Sequence, residues 1–158
     1  MSDERSGCEF DPGHLQVVVR KLIPGRIEAL TPAVEEVLAQ ARQMECSQGK
    51  EFEIELSLRE ALANAIEHGA GHDSSKQIQC CVACDHTRGM LIVVRDPGPG
   101  FDPAEVPSPV RGRNVFRHSG RGIYLINQLM DEVRFERGGT EIHMVSRRPS
   151  GEEARRSA

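Results

Sequence analysis

The chain has 158 residues, 38% of them hydrophobic, and a formal net charge of -4. That length and apolar content suit one domain with a real core and exclude two ordinary ones, while the net charge offers no overall positive field to draw nucleic acid or an anionic membrane. Apolar runs such as Met90 to Val94 fall far short of the roughly 20 residues a membrane span needs, and the polar start Met1-Ser-Asp-Glu-Arg5 is unlike a secretory signal, so the expected location is the cytoplasm.

Residues 1–13, with Gly7, Pro12 and Gly13 among several charges, read as a flexible N-terminal arm. His14 to Ile23 follows as a strand rich in β-branched residues, ended by Pro24-Gly25. Thr31 and Pro32 are suitable N-cap and first-turn residues for a helix whose apolar side is Val34, Val37, Leu38 and Ala41 and which runs to about Met44. A second helix is expected from about Lys50 to His68, with Ile54, Leu58, Ala61, Leu62, Ala65 and Ile66 on its core side and Gly69-Ala-Gly71 as its stop.

Gln77 to Cys84 and Met90 to Arg95 form a strand pair around the polar turn Asp85 to Gly89 and suit an antiparallel hairpin. Pro97 to Ser119 is rich in proline, arginine, glycine and serine with no apolar period; a connection of that length in a small domain is expected to be functional or disordered. Arg121 to Asp131 is a third helix, with Ile123, Leu125, Ile126, Leu129 and Met130 toward the core. Glu132 to Glu136 and Thr140 to Val145 alternate around Arg137-Gly138-Gly139 as a second hairpin, apolar side inward. The domain therefore covers 14–147, and 148–158 reads as a charged, disordered tail. The fold class expected is α+β: a two-layer sandwich whose mixed, mainly antiparallel sheet is covered on one face by helices.

Five cysteines, an odd number in a chain with room for a core, do not resemble a disulfide framework and are expected to be reduced. Cys81-Val-Ala-Cys84 has metal-site spacing, but in a strand residues three apart point to opposite faces, so these cysteines read as small buried hydrophobes.

Three motifs carry chemistry. Glu60 and Asn64 share a helix face at i and i+4, and Glu67 or His68 extends the stripe by another turn. The alternative is a solvated face; against it, Asn is a poor helix former, and Ala61, Ala63 and Ala65 leave room for a ligand beside an amide oxygen able to bind Mg²⁺. Asp96 ends an apolar run before Gly98 and Gly100, where a carboxylate can accept from an exocyclic amine such as that of adenine; read alone, the string is an ordinary Asp-Pro-Gly turn. Gly120-Arg121-Gly122 precedes an apolar helix whose N–H groups suit a phosphate, with Arg111, Arg113, Arg117 and His118 nearby, although a solvated loop would also tolerate these charges. No P-loop string is present.

In this order, Glu-x-x-x-Asn, Asp-x-Gly-x-Gly, Gly-x-Gly and the late Gly139-Thr140, the chain resembles the ATP-binding domain shared by gyrase-type topoisomerases, heat-shock chaperones, histidine kinases and mismatch-repair ATPases, the Bergerat fold. Leu56 to Gly69 and Gly122 to Asp131 are similar to the stand-alone anti-sigma-factor serine/threonine kinases. The resemblance implies that Glu60 is the general base and Asn64 the Mg²⁺ ligand, with Glu67 and His68 beside the nucleotide. It further implies Asp96 as adenine reader, Gly98, Gly100, Gly120, Arg121 and Gly122 as hinges and phosphate cradle of a lid, and Thr140 as support for the adenine end. It implies ATP and Mg²⁺ as cofactors, and a sigma factor and an anti-anti-sigma antagonist as partners, the antagonist being phosphorylated; a second copy of the chain is a further candidate partner. The alternative is a module that binds ATP without catalysis and sequesters a regulatory protein.

Overall fold

The computed structural model describes residues 16–85, 89–100 and 118–147. The expected arm at 1–13, the tail at 148–158 and most of the expected lid, 101–117, lie outside the described residues. Five strands, β1 (Gln16–Pro24), β2 (Gln77–Asp85), β3 (Gly89–Arg95), β4 (Glu132–Glu136) and β5 (Glu141–Arg147), form one sheet in the order β1-β2-β3-β5-β4. Every pairing is antiparallel, so the sheet is not mixed. Three helices, α1 (Leu30–Gln43), α2 (Glu51–Asn64) and α3 (His118–Leu129), complete the α+β sandwich.

The core lies between helices and sheet. Val34, Val37 and Leu38 of α1, Ile54, Leu58 and Leu62 of α2 and Ile126 of α3 pack against Ile78, Cys80 and Val82 of β2, Ile92 of β3 and Met144 of β5. The helical period of those apolar residues and the strand alternation of Ile78, Cys80, Val82 and Cys84 fix which face each element turns inward. The opposite face of the sheet is not polar either. Cys81, Leu91 and Val93 are buried there, with Glu141 and His143, so β3 is enclosed on both sides.

Helix boundaries differ from the sequence reading at each start or stop that depends on tertiary context. A 3₁₀ turn, Ile27–Ala29, leads directly into α1, whose N-cap is Ala29 without a side-chain cap; Thr31 is already inside the helix. The chain leaves Asn64 in a π turn, Ala65–Gly69, where the Ala70 N–H reaches back to the Ala65 carbonyl at 2.8 Å. The third helix begins at His118, three residues earlier than its apolar period implies. Among the described residues no helix is long and apolar enough to cross a membrane.

The expectation of reduced cysteines is overturned. Cys46, in the connection between α1 and α2, is disulfide-bonded to Cys84 at the end of β2, with Cα atoms 5.9 Å apart. Packing α1 on β1, the strand beside β2, brings together two positions 38 residues apart, a proximity that spacing along the chain does not reveal. Cys81, which is also disulfide-bonded, and Cys84 do lie on opposite faces, in separate apolar clusters. Cys80 is a free buried thiol whose pKa desolvation pushes up to about 12, which leaves it chemically inert.

Candidate functional site

Glu60 and Asn64 occupy the last turn of α2. Their common face meets α3 at Gly122: a Cβ there would stand 2.7 Å from Glu60 Oε2 and 3.3 Å from Asn64 Nδ2. Gly122 is the fifth residue of α3, past the four N–H groups left free at a helix start, and it allows the close approach of α3 to Glu60 and Asn64. Gly120 falls within the first turn of α3, as does the backbone of Arg121. This is a correction to the picture of a glycine loop preceding the helix.

Asn64 Oδ1 is buried and makes no hydrogen bond. An orphaned amide oxygen costs about 1–3 kcal/mol unless something else takes its lone pairs. A hard cation with water and phosphate oxygens in its remaining positions fits that need, and the neighbouring Glu60 carboxylate adds negative charge. Among the described residues no cluster of three or more His, Cys, Asp or Glu side chains would hold a metal alone.

The second part of the site is built where β3 ends. Asp96 Oδ1 accepts the Gly98 N–H at 2.8 Å, which folds the chain back under its own side chain. The π turn that follows Asn64 delivers Gly69 directly beneath it. A Cβ on Gly69 would overlap the Asp96 carboxyl, and one on Gly98 would lie 2.6 Å from Gly69 Cα, so the two backbones touch only because both residues lack a side chain. Half-buried in this position, Asp96 has its pKa raised by desolvation, against the opposing pull of the Gly98 N–H and of His68. His68 and Glu67 are exposed, with His68 Nε2 3.9 Å from Glu67 Oε2.

The third part is the start of β5. The Asp96 N–H donates to the Thr140 carbonyl at 2.9 Å, joining the ends of β3 and β5. Thr140 Oγ1 donates to the Arg137 carbonyl at 2.9 Å and so closes the 3₁₀ turn Arg137–Gly139. Gly100, at φ +77°, packs against the Gly138 carbonyl and the Thr140 methyl. The structure thus brings Glu60, Asn64 and Gly122 into one group and Asp96, Gly98, Gly69 and His68 into a second, with Gly100 and Thr140 beside the latter.

Sequence reasoning missed Gly69, which it took only as a helix stop. A glycine spaced to reach a second glycine motif is the signal that would have found it.

A family model described as a histidine kinase-like ATPase domain matches residues 23–146. No curated protein matches the chain.

Proposed function

Because the chain belongs to the histidine kinase-like ATPase domain family, which binds ATP, we propose that it is an ATP- and Mg²⁺-dependent serine/threonine protein kinase acting in the cytoplasm as an anti-sigma factor. The observation that carries the reading is the Glu60 and Asn64 pair, set on one face of α2 and closed over by Gly122. Asn64 Oδ1 is the protein oxygen that would hold Mg²⁺, and the ion when bound would neutralise charge on the nucleotide phosphates. Asp96, carrying a carboxylate at the mouth of the π turn, accepts from the adenine amine, and Thr140 supports that end.

Glu60 lies one turn before Asn64, so its carboxylate reaches an acceptor hydroxyl beside the γ-phosphate and takes its proton. The acceptor is a serine or threonine of an anti-anti-sigma antagonist, and the protein held inactive is a sigma factor. Both partners follow from the similarity of Leu56 to Gly69 and Gly122 to Asp131 to the small anti-sigma-factor kinases.

Phosphate transfer to candidate antagonists encoded beside this chain, measured together with nucleotide affinity, tests the reading. Glu60→Gln should slow transfer roughly 10²- to 10⁴-fold and leave ATP affinity nearly unchanged. Asn64→Ala should weaken Mg²⁺-ATP binding itself. Full transfer by Glu60→Gln would remove the base. Tight ATP-dependent partner binding with no transfer by the wild type would identify a sequestering module.

A further inference from the structure

Glu141 is 2% exposed, on the sheet face away from the helices, and a carboxylate so placed is costly unless it is paired. Its Oε1 lies 2.7 Å from His143 Nε2, and its Oε2, which makes no hydrogen bond, stands within ion-pair range of Arg137 Nε at 3.2 Å and Arg95 Nε at 3.7 Å. Each arginine is joined to the end of the site assigned above to the base of the nucleotide. Arg95 stands opposite Glu141 in the β3 and β5 register and immediately precedes Asp96. Arg137 opens the turn that Thr140 closes, and that turn supplies the Gly138 carbonyl on which Gly100 rests.

Arg137 also sits at φ +53°, a left-handed conformation unfavourable for a residue with a Cβ. Its guanidinium pairing with Glu141 offsets that cost. One buried carboxylate therefore fastens the residue before Asp96 to the turn before Thr140, and the Asp96 N–H to Thr140 carbonyl bond at 2.9 Å is the rung it protects.

We propose that Glu141, acting through Arg95 and Arg137, is a positioning residue that sets Asp96 and Thr140 for recognition of the adenine base. This rests on the reading of Asp96 as the base-recognising group. It separates the two ends of the site: Glu60 and Asn64 stand on α2, and the clamp does not touch them.

The test is the affinity of the full chain for ATP and for GTP with Mg²⁺, in wild type, Glu141→Gln and Arg137→Gly, with melting temperatures measured alongside. Glu141→Gln keeps the size of the side chain and removes its charge. Arg137→Gly removes one arm of the clamp and relieves the left-handed backbone, but leaves the buried Glu141 carboxylate less well paired, so its melting temperature should fall without loss of the fold.

In both variants ATP affinity should fall by the ten- to a hundredfold, roughly, that loss of an outer-shell partner costs a site, with GTP affinity unchanged, so that the preference for ATP collapses. Should Glu141→Gln not fold, Arg137→Gly decides alone. A wild-type ATP preference in the variants, or a parallel loss for both nucleotides, would overturn the clamp and leave the site reading standing. Failure of the wild type to bind ATP at all would overturn the site reading first.

Discussion

Asp96 is held under two opposed demands. Desolvation against the Gly69 backbone raises its pKa above the ordinary carboxylate value of 3.8, while the proposed recognition of an amine donor would require it ionised. A carboxyl raised in the folded state binds a proton more readily folded than unfolded. Stability therefore falls as pH rises from 3.8 through the raised value, and above both the cost is constant. ATP affinity runs the opposite way and should be lost on acidification at a higher pH than an ordinary aspartate would give. Asp96→Asn places a donor against the adenine amine and should cost about 2 kcal/mol, roughly thirtyfold in affinity at neutral pH. Its pH profile should lose the Asp96 transition, which calorimetric titrations across the acid range would read directly. Gly122→Ala separates packing from chemistry at the other end. Alanine is worth about 1 kcal/mol over glycine in a helix, but its Cβ would stand 2.7 Å from Glu60 Oε2, the free end of a side chain that can move. The variant should melt no lower than wild type and transfer phosphate more slowly; a rate equal to wild type would show that the position of Glu60 is not critical.

At the scale of elements, patterns that depend on neighbours along the chain were legible and those that depend on neighbours in space were not. The apolar period placed α2 and the core sides of α1 and α2, because burial of one face selects residues 3.6 apart, whereas of the five apolar residues expected to face the core from the third helix only Ile126 and Met130 join it, with Ile123, Leu125 and Leu129 partly exposed. The polar turn Asp85 to Gly89 likewise marked the antiparallel pair of β2 and β3. Thr31 misled as a cap because the 3₁₀ turn Ile27–Ala29 had already begun the helical path. The π turn after Asn64 has no periodic signature of its own; its need arises from Gly69 meeting Asp96. The Cys46 and Cys84 bond is of the same kind, made by packing between segments 38 residues apart. Closing a loop of that length in the unfolded chain stabilises by about 4 kcal/mol on the chain-entropy account. Cys46→Ser should lower the denaturation midpoint accordingly. ATP affinity should persist, because α2, 14 residues long and so roughly 20 Å, separates its Cys46 end from Asn64. Unchanged denaturation of Cys46→Ser would show that the bond contributes no net stability.

Across the whole molecule, the sheet order β1-β2-β3-β5-β4 puts β3 and β5 side by side, and α2 and α3 pack against each other above. The order of the motifs along the chain was enough to anticipate the α+β class. The grouping of Glu60 with Gly122, and of Asp96 with Gly69 and Thr140, required the fold, since each pair spans at least 27 residues of chain. A nucleotide on this site would touch elements from both halves of the chain, so its binding energy should appear as stability of the entire fold and not of one loop. At a hundredfold excess over its dissociation constant, Mg²⁺-ATP should stabilise by about 2.7 kcal/mol, and for a domain of this size that is a rise of roughly 5–10 °C in melting temperature. Most of the rise should vanish with chelator or in Asn64→Ala and persist in Glu60→Gln, since on the proposed reading Asn64 would hold the cation and Glu60 would act on the acceptor. Thermal unfolding of the three proteins with and without ATP, Mg²⁺ and chelator distinguishes the cases. An equal rise in chelator would show that the buried Asn64 oxygen serves something other than the metal.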